Sequence, residues 1–142
     1  MRVLFDVNVL IALLDAGHVH HNRTHRWWAK NLAAGWATCP LTQNGFVRVL
    51  AQPSYPNRVS APAATEFLAQ AVSAPEHEFW PDAVSLTETD RFVRDRILGP
   101  KQVTDLYLLA LAVDRGGRLA TFDRAIPLSA VVGAKSSSLV VV

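Results

Sequence analysis

The sequence predicts a single α/β domain built on a parallel sheet. Short apolar runs of strand length alternate with stretches of helical periodicity, and this alternation is typical of βαβ units. The chain has 142 residues, of which half are hydrophobic and only 18% are charged, so it is long enough and apolar enough to bury one core. No repeat, linker or change of composition divides it. We therefore assign residues 1–142 to one domain.

The elements follow from the positions of caps, prolines and glycines. Strands are predicted where a short apolar run ends at a polar or proline residue, and helices where a cap precedes a periodic pattern. The predicted strands are 3–5, 36–39, 78–80, 118–122 and 139–142. The predicted helices are 9–16, 18–34, 43–51, 63–72, 87–97 and 104–115, the last of them apolar almost all round and therefore buried.

Composition also narrows the class of protein. No apolar stretch reaches the roughly 18 residues that a membrane span requires. The first residues lead directly into a strand without the pattern of a signal peptide, so we expect a cytoplasmic protein with no membrane partner. Cys39 is the single cysteine, which excludes an intrachain disulfide, and we expect it to be a buried, inert thiol.

Charge is distributed unevenly along the chain. No Asp or Glu occurs from Ala16 to Thr65, although this stretch carries several arginines and four histidines. Such a block either faces the phosphates of a nucleic acid or is a basic surface exposed to water, and the sequence leaves both open. His21 and His25 would share a helix face, but no cysteine or acid lies near enough in sequence to complete a metal site there.

Three carboxylates have a common place in the predicted fold. Asp6 ends the first strand, Asp123 follows the strand 118–122, and Asp105 opens the buried helix 104–115. In a right-handed parallel sheet, the carboxyl ends of strands and the amino ends of helices lie at one edge. Each aspartate alone could simply cap a helix or start a turn. Together they predict an acidic cluster.

An acidic cluster of this kind is typical of a metal site. Crowded carboxylates repel one another and raise one another's pKa, and a divalent cation removes that penalty. Ligands that are all oxygen suit Mg2+, with Mn2+ as an alternative. Such a cation lowers the pKa of a bound water and neutralises charge on a phosphate. The residues alone therefore predict metal-assisted phosphoryl chemistry.

Four sequence motifs, in this order, resemble those of the PIN-domain ribonucleases, and in particular the VapC toxins of bacterial toxin–antitoxin pairs. Each motif is weak by itself, but their order and spacing agree over essentially the whole chain. They are Phe5-Asp6-Val7-Asn8-Val9-Leu10-Ile11, residues 41–50 with Leu41-Thr42-Gln43-Asn44-Gly45-Phe46, residues 103–112 with Val103-Thr104-Asp105-Leu106, and Leu119-Ala120-Thr121-Phe122-Asp123.

The resemblance implies a PIN-like five-stranded parallel sheet flanked by helices and a Mg2+-dependent endoribonuclease. It also implies a homodimer and a cognate VapB-like antitoxin. Catalytic and metal-ligand roles then belong to Asp6, Asp105 and Asp123. Supporting groups around the metal are expected from Asn8, Gln43 and Thr121, and contacts to the RNA backbone from Arg48, Lys101 and Arg124.

The chain departs from the family pattern at Gln43. The family usually has a Glu there, in a Thr-Glu-x-Gly-Phe-like motif, and no neighbour can replace it because no acid occurs between Asp15 and Glu66. Gln43 keeps an oxygen that can hold a metal-bound water but loses the negative charge. The substitution predicts weaker metal affinity.

These expectations define one leading function and two alternatives. The leading function is cleavage of RNA phosphodiesters by a metal-activated water that the clustered aspartates hold. The first alternative is a catalytically weakened PIN-fold protein that binds RNA or its antitoxin, and Gln43 is the reason to keep it. The second is an aspartyl phosphatase of the haloacid-dehalogenase type with Asp6 as nucleophile. That class also needs a lysine and a paired-acid loop, and none of Lys30, Lys101 and Lys135 lies near such a loop in this sequence.

Partner surfaces are predicted in the N-terminal half. Trp27 and Trp28 are adjacent in sequence, so a helix is not expected to bury both equally well against one sheet. We expect this region to contact the antitoxin and the free chain to dimerise. The sequence does not indicate which RNA is recognised.

Overall fold

A computed structural model describes residues 1–142 and contains a five-stranded sheet. Its strands are β1 Val3–Phe5, β2 Trp36–Thr38, β3 His77–Phe79, β4 Arg118–Thr121 and β5 Leu139–Val141. They lie in the order β3-β2-β1-β4-β5, and every neighbouring pair is parallel. The predicted fold class and all five predicted strands are confirmed.

Five α-helices flank the sheet and form a layer on each face. They are α1 Val7–Leu14, α2 His21–Asn31, α3 Pro40–Leu50, α4 Ala61–Val72 and α5 Val103–Asp114. Residues of α1, α3 and α4 pack in one apolar cluster, and the inward residues of α5 pack in the other. None of these helices has both the length and the apolar character that crossing a membrane requires.

The central strand β1 shows why the sequence pattern identified the sheet. Val3, Leu4 and Phe5 have no exposed surface at all. Val3 and Phe5 pack in the cluster with α1, α3 and α4, whereas Leu4 packs in the cluster with α5. A strand buried on both faces is continuously apolar, as expected in a parallel sheet that helices cover on both sides.

The predicted helix 87–97 is wrong. This stretch runs as turns, with a short 3-10 helix at Arg94–Arg96 and one antiparallel bridge between Phe92 and Val131. The backbone N–H of Val93 donates to the carbonyl of Ala130, and that of Val132 donates to the carbonyl of Arg91. These two groups find partners on a distant segment instead of on the adjacent turns, so the local hydrogen bonds of this stretch do not continue into a helix.

Two smaller expectations also need correction. Trp27 and Trp28 are both half-buried, because both rings pack edge-on against Phe5, with centroid separations of 6.1 and 5.2 Å. The second half of α2 therefore does not leave one tryptophan free for a partner. Helix α5 begins at Val103, one residue before the predicted start at 104, and Gln102 occupies the cap position.

Candidate active site

The carboxyl edge of the two central strands carries Asp6. Strand register pairs Phe5 with Ala120, so Asp6 is level with Thr121 on β4. The backbone N–H of Asp6 donates to the carbonyl of Ala120 over 3.0 Å, which extends the ladder to this residue. Strand β1 lies between β2, which follows it in the chain, and β4, which comes much later, so the strand order reverses at β1. Ligands of open α/β sheets bind at the carboxyl ends of the strands where the order reverses in this way.

Asp6 is a buried carboxylate with one strong partner. Its exposed fraction is 8%, and Oδ2 accepts a hydrogen bond of 3.0 Å from the hydroxyl of Thr121. It stands at the N-cap position of α1, but its side chain makes no capping hydrogen bond. Burial raises the pKa of Asp6, and the Thr121 hydrogen bond opposes that shift. A helix cap alone does not account for this residue.

Asp105 lies in the first turn of α5 and is half-buried. Its pKa is raised to about 6, first by burial and then by the charges of Asp6 and Asp123. Repulsion of this kind requires the three carboxylates to be close neighbours. Asp6 and Asp123 follow the neighbouring parallel strands β1 and β4, and Asp105 lies in the first turn of α5, so the three predicted aspartates lie at the same edge of the sheet.

Asp123 is the exposed member of the cluster. Its backbone N–H donates to the Thr121 hydroxyl over 3.1 Å, and its Oδ1 accepts from the N–H of Ala125 over 2.7 Å. The second contact is an Asx turn, so Asp123 does have the turn-forming role that the sequence also allowed. Its Oδ2 makes no hydrogen bond within the protein.

The donor set fits a hydrated divalent cation better than a closed cage. No three His, Cys, Asp or Glu side chains lie close enough together to hold a metal ion jointly. Mg2+ is usually bound by one or two carboxylates and keeps several waters, so it does not need a third protein ligand. The raised pKa of Asp6 and Asp105 marks two carboxyl groups that a nearby cation would stabilise in the charged form.

Helix α3 places Gln43 beside this edge. A Cβ atom on Gly45 would lie 2.7 Å from Cγ2 of Val7, so glycine allows α3 to approach the residue that follows Asp6. The Gln43 Nε2 donates to the hydroxyl of Thr38 over 3.0 Å. That hydroxyl lies 2.8 Å from Nε2 of His77. Sequence reasoning named Gln43 but missed both of its anchors.

The remaining predicted residues lie at the surface. Asn8 is exposed in the first turn of α1 and makes no side-chain hydrogen bond. Exposed basic side chains without an ion pair are Arg48 on α3, Lys101 just before α5, and Arg124 next to Asp123. Cys39 is fully buried, as predicted, and burial raises the pKa of its thiol.

A basic group that the sequence did not single out lies next to the cluster. The Arg23 guanidinium lies 5.0 Å from the centre of the Phe122 ring, and the His20 ring lies 5.2 Å from it. Phe122 stands between Thr121 and Asp123 in the chain. The amino-terminal half of α2 therefore presents positive charge at the acidic edge of the sheet. The absence of Asp and Glu from this part of the chain was the only feature of the sequence that indicated this positive surface.

Comparison with known proteins agrees with this geometry. The PIN domain family matches residues 3–131, a span that contains all three aspartates. The chain is 51% identical to Ribonuclease VapC44 of Mycobacterium tuberculosis over 139 residues, which cover 98% of both chains. The chain belongs to the PIN-domain family, among the VapC ribonucleases. Membership of this PIN-domain family leaves no support for the aspartyl phosphatase alternative.

Other PIN-domain proteins of the same kind are similar in sequence or in fold. Ribonuclease VapC39 of M. tuberculosis is 44% identical over 134 residues, covering 94% of this chain and 96% of the relative. The crystal structure of M. tuberculosis VapC20, described as a sarcin–ricin loop cleaving toxin, superimposes with a TM-score of 0.65 over 92% of this chain and 96% of that one. Its identity is 16%, so it supports the fold alone.

Proposed function

We propose that this PIN-domain protein is a Mg2+-dependent endoribonuclease and the toxin of a toxin–antitoxin pair. The observation that carries the proposal is the placement of three aspartates at one edge of the sheet, with Asp6 after β1, Asp105 in the first turn of α5 and Asp123 after β4. Burial and the charges of Asp6 and Asp123 raise the pKa of Asp105. Three coupled carboxylates are costly for a fold unless they serve a cation. The names of the ribonuclease relatives support RNA as the substrate.

The proposed ligands are Asp6 and Asp105, with Asp123 completing the site directly or through water. A bound Mg2+ or Mn2+ would supply an activated water and neutralise charge on the phosphodiester. Thr121 holds Asp6 in one orientation through the 3.0 Å hydrogen bond. Asp123 has a free Oδ2 at the exposed end of the cluster, and in this proposal that oxygen would accept a proton from the attacking water.

The RNA backbone would lie along the basic side of the site. Arg23 is held against Phe122 next to Asp123, and Lys101 and Arg124 flank Asp105 and Asp123 in the chain. Arg48 is the fourth candidate. None of these four side chains makes an ion pair within the protein, so each has its charge available for phosphate.

We further propose that a VapB-like antitoxin covers part of the N-terminal half and that the free chain forms a homodimer. A groove of about 290 Å3 lies between the ends of α1 and α3 and the start of α4. Apolar side chains dominate its lining, including Leu14, Leu50, Val59 and the exposed Phe67. A structure titled VapBC2 from Rickettsia felis, bound to a promoter DNA fragment, supplies the precedent for such a partner. We place the active toxin in the cytoplasm.

Cleavage of a single-stranded RNA by the purified chain tests the function. We expect cleavage that requires both added Mg2+ and an intact Asp6, with Asp6→Asn inactive and still folded. Gln43 favours the second candidate function, a weakened PIN domain that binds RNA or its antitoxin without cutting. If the chain binds RNA but does not cleave it at any Mg2+ or Mn2+ concentration, the proposed nuclease function is wrong and the binding function takes its place.

A further inference from the structure

A chain of two hydrogen bonds leads from Gln43 into the sheet. The Gln43 Nε2 donates to Thr38 Oγ1 over 3.0 Å, and Thr38 Oγ1 lies 2.8 Å from His77 Nε2. Thr38 has no exposed surface, so water does not compete for its hydroxyl. Thr38 is level with Phe5 by strand register and therefore lies at the same edge as Asp6.

The position of the His77 ring proton sets the direction of these hydrogen bonds. A threonine hydroxyl has one proton, and a neutral imidazole has one N–H. Because Gln43 donates to Thr38, the proton of Thr38 is free to be donated to His77 Nε2. The hydroxyl also has two acceptor lone pairs, so it donates to His77 only where Nε2 is unprotonated and the ring proton is on Nδ1. The backbone carbonyl of Val72 lies beside the ring and favours a protonated nitrogen there.

The surroundings of His77 keep it neutral at pH 7. Burial lowers its pKa, the Arg2 guanidinium lowers it further, and Glu78 together with the Val72 carbonyl acts in the opposite direction. The indole of Trp36 packs edge-on against the imidazole, with centroids 4.6 Å apart. A neutral ring with an acceptor Nε2 agrees with the donor count of the Gln43–Thr38–His77 chain.

We propose that Thr38 and His77 are positioning residues that fix the amide of Gln43, with Nε2 toward Thr38 and the carbonyl Oε1 toward the acidic edge of the sheet. This inference rests on the proposed function, since it supplies an oxygen where the family usually has a Glu. A flipped amide would present its NH2 group, which repels a cation. The hydrogen bonds that link Gln43, Thr38 and His77 thus allow the neutral Gln43 side chain to present an acceptor oxygen beside a metal.

The same donor count makes His77 a reporter. A carboxylate at position 43 cannot donate, so Thr38 would donate to it and accept instead from a protonated His77 Nε2. Imidazole 15N NMR of the metal-free protein at pH 7 measures this directly. We expect the wild-type proton on Nδ1 and a proton on Nε2 in Gln43→Glu. A wild-type Nε2–H, or an unchanged proton position in Gln43→Glu, overturns the proposal.

A hydroxyl deletion gives the second test. Thr38→Val removes the hydroxyl at nearly constant volume, and we expect the Gln43 side-chain amide resonances to shift and kcat to fall by about 10–100-fold with KM unchanged. Thr38→Ser should restore both. Thr121→Val is the matched control for the resonances, because it removes the other buried hydroxyl of the site and should leave the Gln43 amide resonances unchanged.

Failure of this inference is separable from failure of the proposed function. The NMR measurements need neither RNA nor metal, so an inactive wild type does not affect them. Unchanged Gln43 amide resonances in a folded Thr38→Val variant overturn the proposal. Circular dichroism establishes that each variant is folded, and Thr38→Ser keeps the test valid if the valine variant unfolds.

Discussion

The hydroxyl of Thr121 donates to the carboxylate of Asp6 over 3.0 Å. The hydroxyl oxygen of Thr121 also accepts a hydrogen bond of 3.1 Å from the backbone N–H of Asp123. One buried side chain therefore connects the carboxylate at the end of β1 with the residue that follows β4. The pairing of the two central strands thereby determines how two of the three acids are presented.

Thr121→Val should damage both stability and activity. The buried Asp6 carboxylate would lose its hydroxyl partner, and an unsatisfied buried group of this kind costs about 1–3 kcal/mol of unfolding free energy. Urea denaturation at pH 7 measures that loss, and RNA cleavage against Mg2+ concentration should show a lower apparent metal affinity. Thr121→Ser retains the hydroxyl and is the control. A valine variant as stable and active as the wild type would contradict the role of this contact.

Asp105→Asn should stabilise the metal-free protein in a pH-dependent way. The folded pKa of Asp105 is about 6 and its ordinary value is 3.8, so the folded state holds this proton more tightly than the unfolded chain. Ionisation of Asp105 therefore lowers the unfolding free energy of the protein as pH rises from about 4 to 6. The loss is at most about 3 kcal/mol and is smaller once solvent screening is included.

The unfolding free energies of the wild type and Asp105→Asn, measured without metal from pH 4 to 8, test this sign. The advantage of Asp105→Asn should increase between pH 4 and 6 and stay constant above 7. Adding Mg2+ should stabilise the wild type more than the variant. A difference that does not depend on pH would show that neither burial nor the charges of Asp6 and Asp123 raise the pKa of Asp105 in the folded state.

Much of this fold could be predicted because the decisive information is local. Val3, Leu4 and Phe5 are apolar because both faces of β1 are covered, and topology alone then places strand ends together. The stretch 87–97 fails for the opposite reason. Its polar periodicity suits a helix, but its backbone pairs with residues 130–132, and no local pattern records that pairing.

The acids of the site were predictable and their partners were not. Asp6, Asp105 and Asp123 are marked by their positions at element ends. His77 meets Thr38 across 39 residues, and Arg23 stacks on a ring from a distant strand end. Such contacts depend on side-chain rotamers, on how α2 packs against the sheet and on the pairing of β3 with β2. The periodicity of the sequence indicates none of these.

Arg23→Gln should weaken RNA binding through the loss of one phosphate contact. The slope of log affinity against log salt for a single-stranded RNA should fall in magnitude by about 0.7. Filter binding with the inactive Asp6→Asn background measures it without cleavage. Arg96→Gln is the matched control, because Arg96 is also exposed and makes no ion pair. An equal change of slope in both variants would mean that Arg23 contributes only general charge.

Gln43→Glu should tighten Mg2+ binding and raise activity at low Mg2+. A unit charge about 4 Å from another contributes about 4 kcal/mol at an effective dielectric of 20, before desolvation is subtracted. Even a third of that corresponds to about tenfold in affinity. The wild type should accordingly bind Mg2+ weakly, with a relative preference for Mn2+.

The opposing effect in Gln43→Glu is a fourth negative charge beside three coupled acids. Without metal, the new carboxylate should therefore lower the unfolding free energy, because Thr38 provides only one hydroxyl to hold it. Calorimetric titration of Mg2+ into wild type and Gln43→Glu separates the two effects, and Gln43→Ala is the control for side-chain loss. Tighter binding in Gln43→Glu and weaker binding in Gln43→Ala would place an oxygen of residue 43 at the metal. Equal or weaker binding in Gln43→Glu would mean that this side chain faces only Thr38.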